Sequence, residues 1–291
     1  SPDRVARKAV KWAQKRHLPV LCSVHTRFET YLRYYNMSFM EPILVAWIRR
    51  LYRKCDALVA PSESFAQVLR QQRMNYDIDI WSRGVDRDIF DPSQRDMEWR
   101  RGLAIADNTP VIGFLGRLVM EKGLDVFSDA IDQLRRRKVP HQVMVIGDGP
   151  ARPWFETRIP DAKFVGFQVG SDLGRAVASM DMFFNPSVTE AFGNVTLESM
   201  ASGLPVVAAK ATGSQSLVED KVSGRLITPG AINQFTDALQ AYCVDEDLRT
   251  KHGAAGEQRS LDYSWDAINQ TMADTYLRLI RQNAARAVAS R

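Results

Sequence analysis

Two glutamates, Glu190 and Glu198, stand eight residues apart on either side of a glycine-containing turn. Gly193 allows the backbone to approach a ligand closely, and Asn194 is a favourable N-cap for a helix that continues through Val195. The free amides of a first helical turn form an anion site suited to phosphate. Since each carboxylate can accept hydrogen bonds from hydroxyl groups, the pattern indicates a ligand with hydroxyls at both ends and phosphate between them. Taken separately, an acidic residue in a first helical turn and a solvated loop glutamate are the plainer interpretations.

A second group of residues supplies positive charge. Arg117 follows Gly116 at the end of an apolar strand, and Lys122 opens the next helix. A guanidinium binds two phosphate oxygens as a fork, and an ammonium acts as a compact point charge. Exposed cations on an ordinary loop are the alternative interpretation. Two further turns carry less information: 147–150 indicates a tight turn near the ligand, and 212–214 is interpreted as a plain surface loop.

Apolar runs and helical periodicity alternate along the chain and predict the elements that position these residues. Such alternation implies βαβ units and parallel sheets, in which ligands bind beyond the carboxyl ends of the strands. The turn-rich segment 82–93 is the predicted linker between two domains. The predicted strands are 18–24, 56–60, 78–81, 111–116, 142–146, 163–166, 182–185 and 205–209. The predicted helices are 3–16, 41–54, 62–74, 124–136, 172–180, 195–202, 232–242, 246–257 and 264–282.

Length and composition exclude several classes of protein. The chain has 291 residues, of which 45% are hydrophobic and 25% charged, as in globular proteins of two domains. A net charge of +5 is too small to predict nucleic-acid binding, although residues 1–60 carry twelve basic and four acidic side chains. Cys22, Cys55 and Cys243 lack the spacing of a zinc site or a disulfide framework, which favours a reducing cytosol. The apolar stretch 42–48 is too short to span a membrane.

The motifs resemble those of a known family. Segments 116–123, 147–150 and 186–207 look like the C-terminal half of retaining GT-B glycosyltransferases of family 4. Segments 23–28, 31–35, 59–64 and 83–86 are similar to the glycolipid-type hexosyltransferases and GDP-mannose-dependent α-mannosyltransferases of that family. The resemblance implies an α/β fold of the GT-B type, in which two Rossmann-like doubly wound domains face a cleft.

The resemblance also implies a domain organisation. Residues 1–90 would form a partial N-terminal acceptor-side domain, and residues 91–265 the nucleotide-sugar donor domain. Residues 266–291 would form a C-terminal helix that packs back on the N-terminal domain. Members of the family carry further strands and a glycine-rich loop before the segment that begins here. The N-terminal domain is therefore expected to be incomplete, either because the chain is a fragment or because this domain is reduced.

Roles for single residues follow from the same resemblance. Arg117 and Lys122 would neutralise the diphosphate, Glu190 would bind sugar hydroxyls, and Glu198 would bind the ribose. His25 would contact the sugar near the reacting carbon, whereas the residue alone is typical of a structural histidine. The expected catalytic residues are His25, Arg117, Lys122 and Glu190. The expected donor-binding residues are Gly116, Arg117, Lys122, Phe192, Gly193, Asn194, Val195 and Glu198, with base contacts expected around 165–168.

The expected reaction moves a hexose from GDP-mannose or a UDP-hexose to a lipid or glycan hydroxyl, with retention and without a metal ion or cofactor. The two Asp-x-Asp spacings at 77–79 and 86–88 are interpreted as turn residues. A Rossmann oxidoreductase is disfavoured because the glycine fingerprint is absent. A non-catalytic nucleotide-sugar-binding module or an inactive fragment remains the alternative.

The basic residues 1–60 also predict where the protein works. Their charge, together with the aromatic and methionine side chains between 34 and 47, fits an anionic membrane surface. The predicted location is cytoplasmic, with peripheral attachment at the inner face of the membrane. The alternative is that the charges are the solvated faces of amphipathic helices and the aromatic side chains belong to the core.

Overall fold

The computed structural model describes residues 3–28, 32 and 37–289, so the motif positions 31 and 33–35, with Tyr34 and Tyr35, lie outside the described residues. The chain forms two compact units, one of Ser1–Gly84 together with Tyr263–Arg291 and one of Val85–Asp262. The first unit is therefore discontinuous in sequence. Within the described residues, no helix combines the length and apolar character that a membrane span requires.

The first unit contains a parallel sheet with the strand order β1-β2-β3 within the described residues. The middle strand is buried along its whole length, because both of its neighbours pair with it. Asp3 and Ser62 cap the helices that follow them, since their side chains accept bonds from the amides of Ala6 and Phe65. The strands are β1 (Leu21–Ser23), β2 (Ala57–Ala60) and β3 (Ile78–Ile80). The helices before residue 85 include α1 (Arg4–Gln14), α2 (Glu41–Tyr52) and α3 (Glu63–Gln71).

The second unit is built on a parallel sheet with the order β6-β5-β4-β7-β8-β9. The chain moves outward in one direction from β4 to β6 and then returns to the other side of β4 with β7, which creates a switch point beside β4. The strands are β4 (Val111–Leu115), β5 (Gln142–Ile146), β6 (Lys163–Gly166), β7 (Met182–Asn185), β8 (Val206–Ala209) and β9 (Gly224–Ile227). The helices are α4 (Met97–Gly102), α5 (Leu124–Arg136), α6 (Arg152–Arg158), α7 (Gly170–Ala178), α8 (Asn194–Ala201), α9 (Thr212–Leu217), α10 (Ile232–Val244) and α11 (Glu246–Ser260).

Aromatic side chains fix the position of β4 in this sheet. Phe114 points into a buried cluster, where its ring meets Phe127 edge-on at a centroid distance of 5.6 Å. Phe127 also stacks on Phe184 of β7, with the ring centroids 4.8 Å apart. Since such interiors are close-packed, the carboxyl ends of β4 and β7 are held rigidly relative to each other.

Four helices or strands of the second unit, α4, α6, α9 and β9, are not among the elements predicted from the sequence. Helix α6 contains Pro153, a residue that usually interrupts helices, but here it lies in the first turn, where no amide partner is needed. Strand β9 was missed because its run Gly224–Ile227 contains only two large apolar residues beside Arg225. It pairs with β8 at the edge of the sheet, where such a pattern is tolerated.

The C-terminal helix α12 (Trp265–Ala289) belongs to the first unit. Arg278 donates hydrogen bonds to Asp77 at 2.8 Å and to Asp79 at 2.7 Å, and the hydroxyl of Thr275 donates to Asp79 at 2.8 Å. The interpretation of Asp77 and Asp79 as turn residues is therefore wrong. Asp79 lies within β3, and both carboxylates anchor α12.

Candidate functional site

The carboxyl ends of β4 and β5 meet through two glycines. Gly116 and Gly147 adopt φ values of 145° and 129°, which side-chain-bearing residues rarely adopt. A Cβ atom on Gly147 would lie only 2.0 Å from the carbonyl oxygen of Gly116. The two turns therefore touch through their backbones and form a continuous floor.

A cleft of about 380 Å³ opens above this floor, a volume typical of a small-molecule site. Among the predicted site residues, Gly116, Arg117, Val195 and Glu198 line it. Arg117 is exposed, so its guanidinium is accessible to a ligand. The remaining lining residues are Leu115, Ile146, Gly147, Asp148, Phe167, Gln168 and Leu173.

Helix α8 enters the cleft with its first turn. Gly193 holds the N-cap position with φ 97° and ψ 58°, and Asn194 is the first helical residue. The prediction that Asn194 would be the N-cap is therefore wrong, because the chain enters the helix through a left-handed conformation that favours glycine. The prediction that Glu198 lies one turn into this helix is confirmed.

Glu198 has an unusual environment for a carboxyl group. Burial, and then the negative charge of Glu190, raises the pKa of Glu198 to about 7. At neutral pH the group therefore exists in both protonation states, and it can donate or accept a hydrogen bond.

Lys122 and Glu190 form an ion pair beside the cleft. The ammonium nitrogen of Lys122 lies 2.7 Å from Oε1 of Glu190, and their side chains are 29% and 11% exposed. Lys122 ends a short 3-10 helix after β4, and Glu190 belongs to the loop after β7. The sequence predicted both residues as ligand contacts, and the structure pairs them with each other. Neither lines the cleft described above.

The turn at 212–214 supports Glu190. The hydroxyl of Thr212 and the amide of Gly213 donate to the carbonyl oxygen of Glu190, at 2.7 and 3.0 Å. A Cβ on Gly213 would lie 2.6 Å from the carbonyl oxygen of Phe192, so glycine is required by this close approach. The interpretation of this segment as a plain surface loop is wrong, since Thr212 begins α9 and Gly213 and Ser214 are buried. A glycine four residues after the end of β8 was the available signal.

Asn185 is a residue that the sequence analysis missed. It ends β7, is 5% exposed, and its amide nitrogen donates to the hydroxyl of Thr196 in α8 at 3.1 Å. Its amide oxygen accepts from the backbone of Ser187 at 3.1 Å. These bonds tie α8 to the strand that precedes the Glu190 loop.

His25 lies in the first unit, two residues after the end of β1. Its ring packs edge-on against Trp81 at a centroid distance of 5.4 Å, and Nε2 shares a hydrogen bond with the hydroxyl of Ser23. Burial, followed by the positive charge of Arg83, lowers the pKa of His25 to about 4. The imidazole is therefore neutral at physiological pH. Within the part of the chain that the structure describes, no cluster of three His, Cys, Asp or Glu side chains is arranged to hold a metal ion.

Comparisons with known proteins match both units. Residues 2–89 match the family described as "Glycosyltransferase Family 4", and residues 109–245 match the one described as "Glycosyl transferases group 1". A GDP-mannose-dependent alpha-mannosyltransferase of Mycolicibacterium smegmatis is 32% identical over 276 residues, which cover 94% of this chain and 71% of the relative. A sulfoquinovosyl transferase of Arabidopsis thaliana is 30% identical, over 92% of this chain and 53% of the relative. The chain thus spans about half to seven tenths of the length of these relatives.

Solved structures share the fold. Sucrose-phosphate synthase from Thermosynechococcus elongatus aligns with a TM-score of 0.77 at 20% identity, over 94% of this chain and 71% of that one. HepE from Anabaena in complex with UDP-glucose aligns with a TM-score of 0.75 at 24% identity, over 94% and 76%. The expected α/β fold of the GT-B type, with two Rossmann-like domains, is confirmed by these similarities.

Proposed function

The chain belongs to glycosyltransferase family 4, and from that premise we propose that it transfers a hexose from a nucleotide diphosphate sugar to a hydroxyl group. One observation carries the proposal. The cleft at the carboxyl ends of β4 and β5 has a cation, Arg117, and a carboxyl group, Glu198, in its lining, together with the first turn of α8. A nucleotide sugar needs all three, since it carries an anionic diphosphate and hydroxyl groups.

The donor is proposed to be GDP-mannose or a UDP-hexose. Relatives are named for their dependence on GDP-mannose, and HepE is described in complexes with UDP and UDP-glucose. The ribose is assigned to Glu198, and the base to the region of Phe167 and Gln168, which line the same cleft. The amide nitrogen of Gln168 donates to the carbonyl of Val165 at 2.6 Å, which fixes this edge of the cleft.

Catalysis is proposed to proceed by stabilisation of the departing diphosphate. Arg117, the amides of α8 and Lys122 supply positive charge where negative charge develops, so the proposed reaction needs no metal ion. In this scheme Lys122 leaves Glu190 for the diphosphate, and Glu190 then accepts hydrogen bonds from the sugar. Lys122 thus exchanges Glu190 for the diphosphate, and Glu190 exchanges Lys122 for the sugar.

Retention of anomeric configuration and the role of His25 complete the proposed mechanism. A departing phosphate oxygen takes the acceptor proton, and the neutral His25 imidazole contacts the sugar near the reacting carbon. NMR determination of the product's anomeric configuration tests retention, because a β-linked product from an α-linked donor contradicts it. Turnover that is lost in EDTA and restored by Mg²⁺ or Mn²⁺ contradicts metal independence.

The acceptor is proposed to be a lipid or glycan hydroxyl at the inner face of a membrane. Phe39 in the 3-10 helix before α2 and Ile43 in the first turn of α2 are 77% and 65% exposed, within residues 1–60, which carry a net positive charge. Exposed apolar side chains in a basic segment favour adsorption to anionic lipid over the alternative that they belong to the core. Flotation with anionic and neutral liposomes tests this attachment, and binding that ignores lipid charge and salt contradicts it.

A thermal-shift panel of UDP, GDP, ADP and their sugars tests the donor site. We expect stabilisation by one nucleotide family, lost in Arg117→Ala and Glu198→Ala and retained in the exposed control Arg136→Ala. The absence of any shift contradicts the proposal. A shift without transfer or hydrolysis favours a non-catalytic nucleotide-sugar-binding module instead.

A further inference from the structure

Helix α9 contacts the loop of residues 190–193, here called the glutamate loop, at both of its ends. At its start, the hydroxyl of Thr212 and the amide of Gly213 hold the carbonyl oxygen of Glu190, as described above. At its end, Cδ1 of Leu217 would lie 3.5 Å from a Cβ atom on Gly193, which is an ordinary contact distance. The two ends are roughly 8 Å apart along the helix axis. Helix α9 therefore supports the glutamate loop from Glu190 to the N-cap of α8.

A helix as short as α9 does not hold such a position alone. It has six residues, four of which are Thr, Gly or Ser. Isolated helices shorter than about 12 residues are marginal in water even when their sequence favours a helix. In addition, the carbonyl groups of a last helical turn lack partners within their own helix. The position of α9 must therefore be set by neighbouring elements.

Arg259, in the last turn of α11, binds the end of α9. Its Nε donates to the carbonyl oxygen of Leu217 at 2.6 Å, and its Nη2 donates to the carbonyl oxygen of Ser216 at 3.1 Å. The donors of a guanidinium have a fixed planar geometry, so two such bonds define the direction of the contact as well as its distance. The guanidinium of Arg259 thus fixes α9 relative to α11.

Helix α11 is packed directly on α8, the helix that carries Glu198. A Cβ atom on Gly253 would lie only 2.1 Å from the carbonyl oxygen of Gly203, two residues after α8 ends. A Cβ atom on Gly256 would lie 3.6 Å from Cγ of Met200 within α8. The close approach at Gly253 leaves no room for a side chain, so α11 is a firm base for the contact with α9.

We propose that Arg259 is a positioning residue that acts through α9 and sets where Glu190 stands relative to Lys122 and to the cleft. Arg259 does not line the cleft. Without its two bonds, the end of α9 can shift, and the carbonyl of Glu190 shifts with the start of the same helix. The proposal rests on the proposed function, in which Glu190 binds the sugar of the donor, and adds to it a residue outside the cleft.

Arg249 provides a matched control on the same helix. Its Nη1 donates to the carbonyl oxygens of Tyr242 and Cys243, at 2.6 and 3.4 Å. These carbonyls belong to the end of α10, and neither residue lines the cleft. Arg249→Met therefore removes the same kind of bond from another helix end, with a loss of stability but no path to Glu190.

Urea unfolding tests the proposal without any ligand, through the coupling between Lys122 and Glu190. The coupling is measured by the double-mutant cycle of Lys122→Met and Glu190→Gln, in the original protein and in Arg259→Met. We expect it, expressed as a ratio of unfolding constants, to fall about tenfold in Arg259→Met and to be unchanged in Arg249→Met. Arg259→Lys keeps the charge but not the planar pair of donors, so it should give an intermediate value and serves where Arg259→Met does not fold. A coupling unchanged in Arg259→Met, or in Arg259→Lys where that variant serves, overturns the proposal, and so does an equal fall in Arg249→Met.

Calorimetry with UDP and UDP-glucose, and with GDP and GDP-mannose, tests the consequence for the donor. The affinity that the sugar adds over the nucleoside diphosphate should fall about tenfold in Arg259→Met and stay unchanged in Arg249→Met. In the Glu190→Gln background, Arg259→Met should have no further effect, because Arg259 acts through Glu190. A further loss in that background overturns the proposal, since a general structural defect would be additive. If the original protein binds none of these sugar nucleotides, the proposed function fails, whereas the unfolding experiment still decides whether Arg259 positions Glu190.

Discussion

Breaking the Lys122–Glu190 ion pair is expected to destabilise the second unit by a measurable coupling energy. At the observed 2.7 Å, an effective dielectric constant near 20 gives a gross attraction of about 6 kcal/mol. Desolvation offsets most of this, since Glu190 is only 11% exposed. We expect a net coupling of about 2 kcal/mol in a double-mutant cycle of Lys122→Met and Glu190→Gln, measured by urea unfolding.

The Arg101–Asp107 pair provides the matched control. Its atoms are 2.8 Å apart, almost the same distance, but its side chains are 57% and 51% exposed. Solvent screening should reduce its coupling well below that of the pair beside the cleft. If the two cycles give the same coupling, the reasoning from burial is refuted.

The variant Glu190→Gln should also change which ligands the site prefers. In Glu190→Gln the ammonium of Lys122 loses its carboxylate partner and becomes available to a diphosphate. We expect the nucleoside diphosphate to bind more tightly than in the original protein, and the sugar moiety to add less affinity. Calorimetry with UDP or GDP and the corresponding sugar nucleotide measures both. Weaker binding of the nucleoside diphosphate to Glu190→Gln contradicts the proposed exchange of partners.

Three further changes have expected outcomes. Because burial raises the pKa of Glu198 from 4.5 to about 7, the folded state binds its proton more tightly than the unfolded chain. This contribution to stability is present below pH 4.5 and lost as the pH rises to about 7, and Glu198→Gln should remove that slope from unfolding measured between these values. Arg100 is fully buried and binds Asp181 at 3.0 Å, so Arg100→Met should cost about 3 kcal/mol of unfolding free energy in urea. Asn185→Ala leaves the buried hydroxyl of Thr196 without its donor and should cost about 2 kcal/mol in the same assay.

The cleft in the second unit was predictable where the motifs and the topology coincide. Gly116 and Arg117 follow β4, and Glu198 lies one turn into α8, so a parallel sheet brings them to one edge. These residues could be found because each follows an apolar strand of four or five residues, a strong local signal. The alternation of strands and helices predicted the fold class for the same reason.

Contacts between distant segments were not predictable. Lys122 and Glu190 are separated by 68 positions, and the sequence contains nothing that distinguishes mutual pairing from separate contacts with a ligand. The support that Thr212 gives to Glu190 depends on the packing of α9, whose short polar sequence has the composition of a loop. The low pKa of His25 depends on burial and on a cation that lies 58 residues away along the chain.

The anchoring of α12 in the first unit has a consequence for synthesis on the ribosome. Strand β3 receives its partners Thr275 and Arg278 only after the whole of Val85–Asp262 has been translated. The second unit is continuous in sequence and can fold while α12 is still being made. At roughly 5–20 residues per second, β3 waits on the order of ten seconds or more for its carboxylates to be paired. During that interval the early segment of the first unit has only its own short sheet, so a mutation in α12 should reduce the yield of folded protein before it affects the cleft of the second unit.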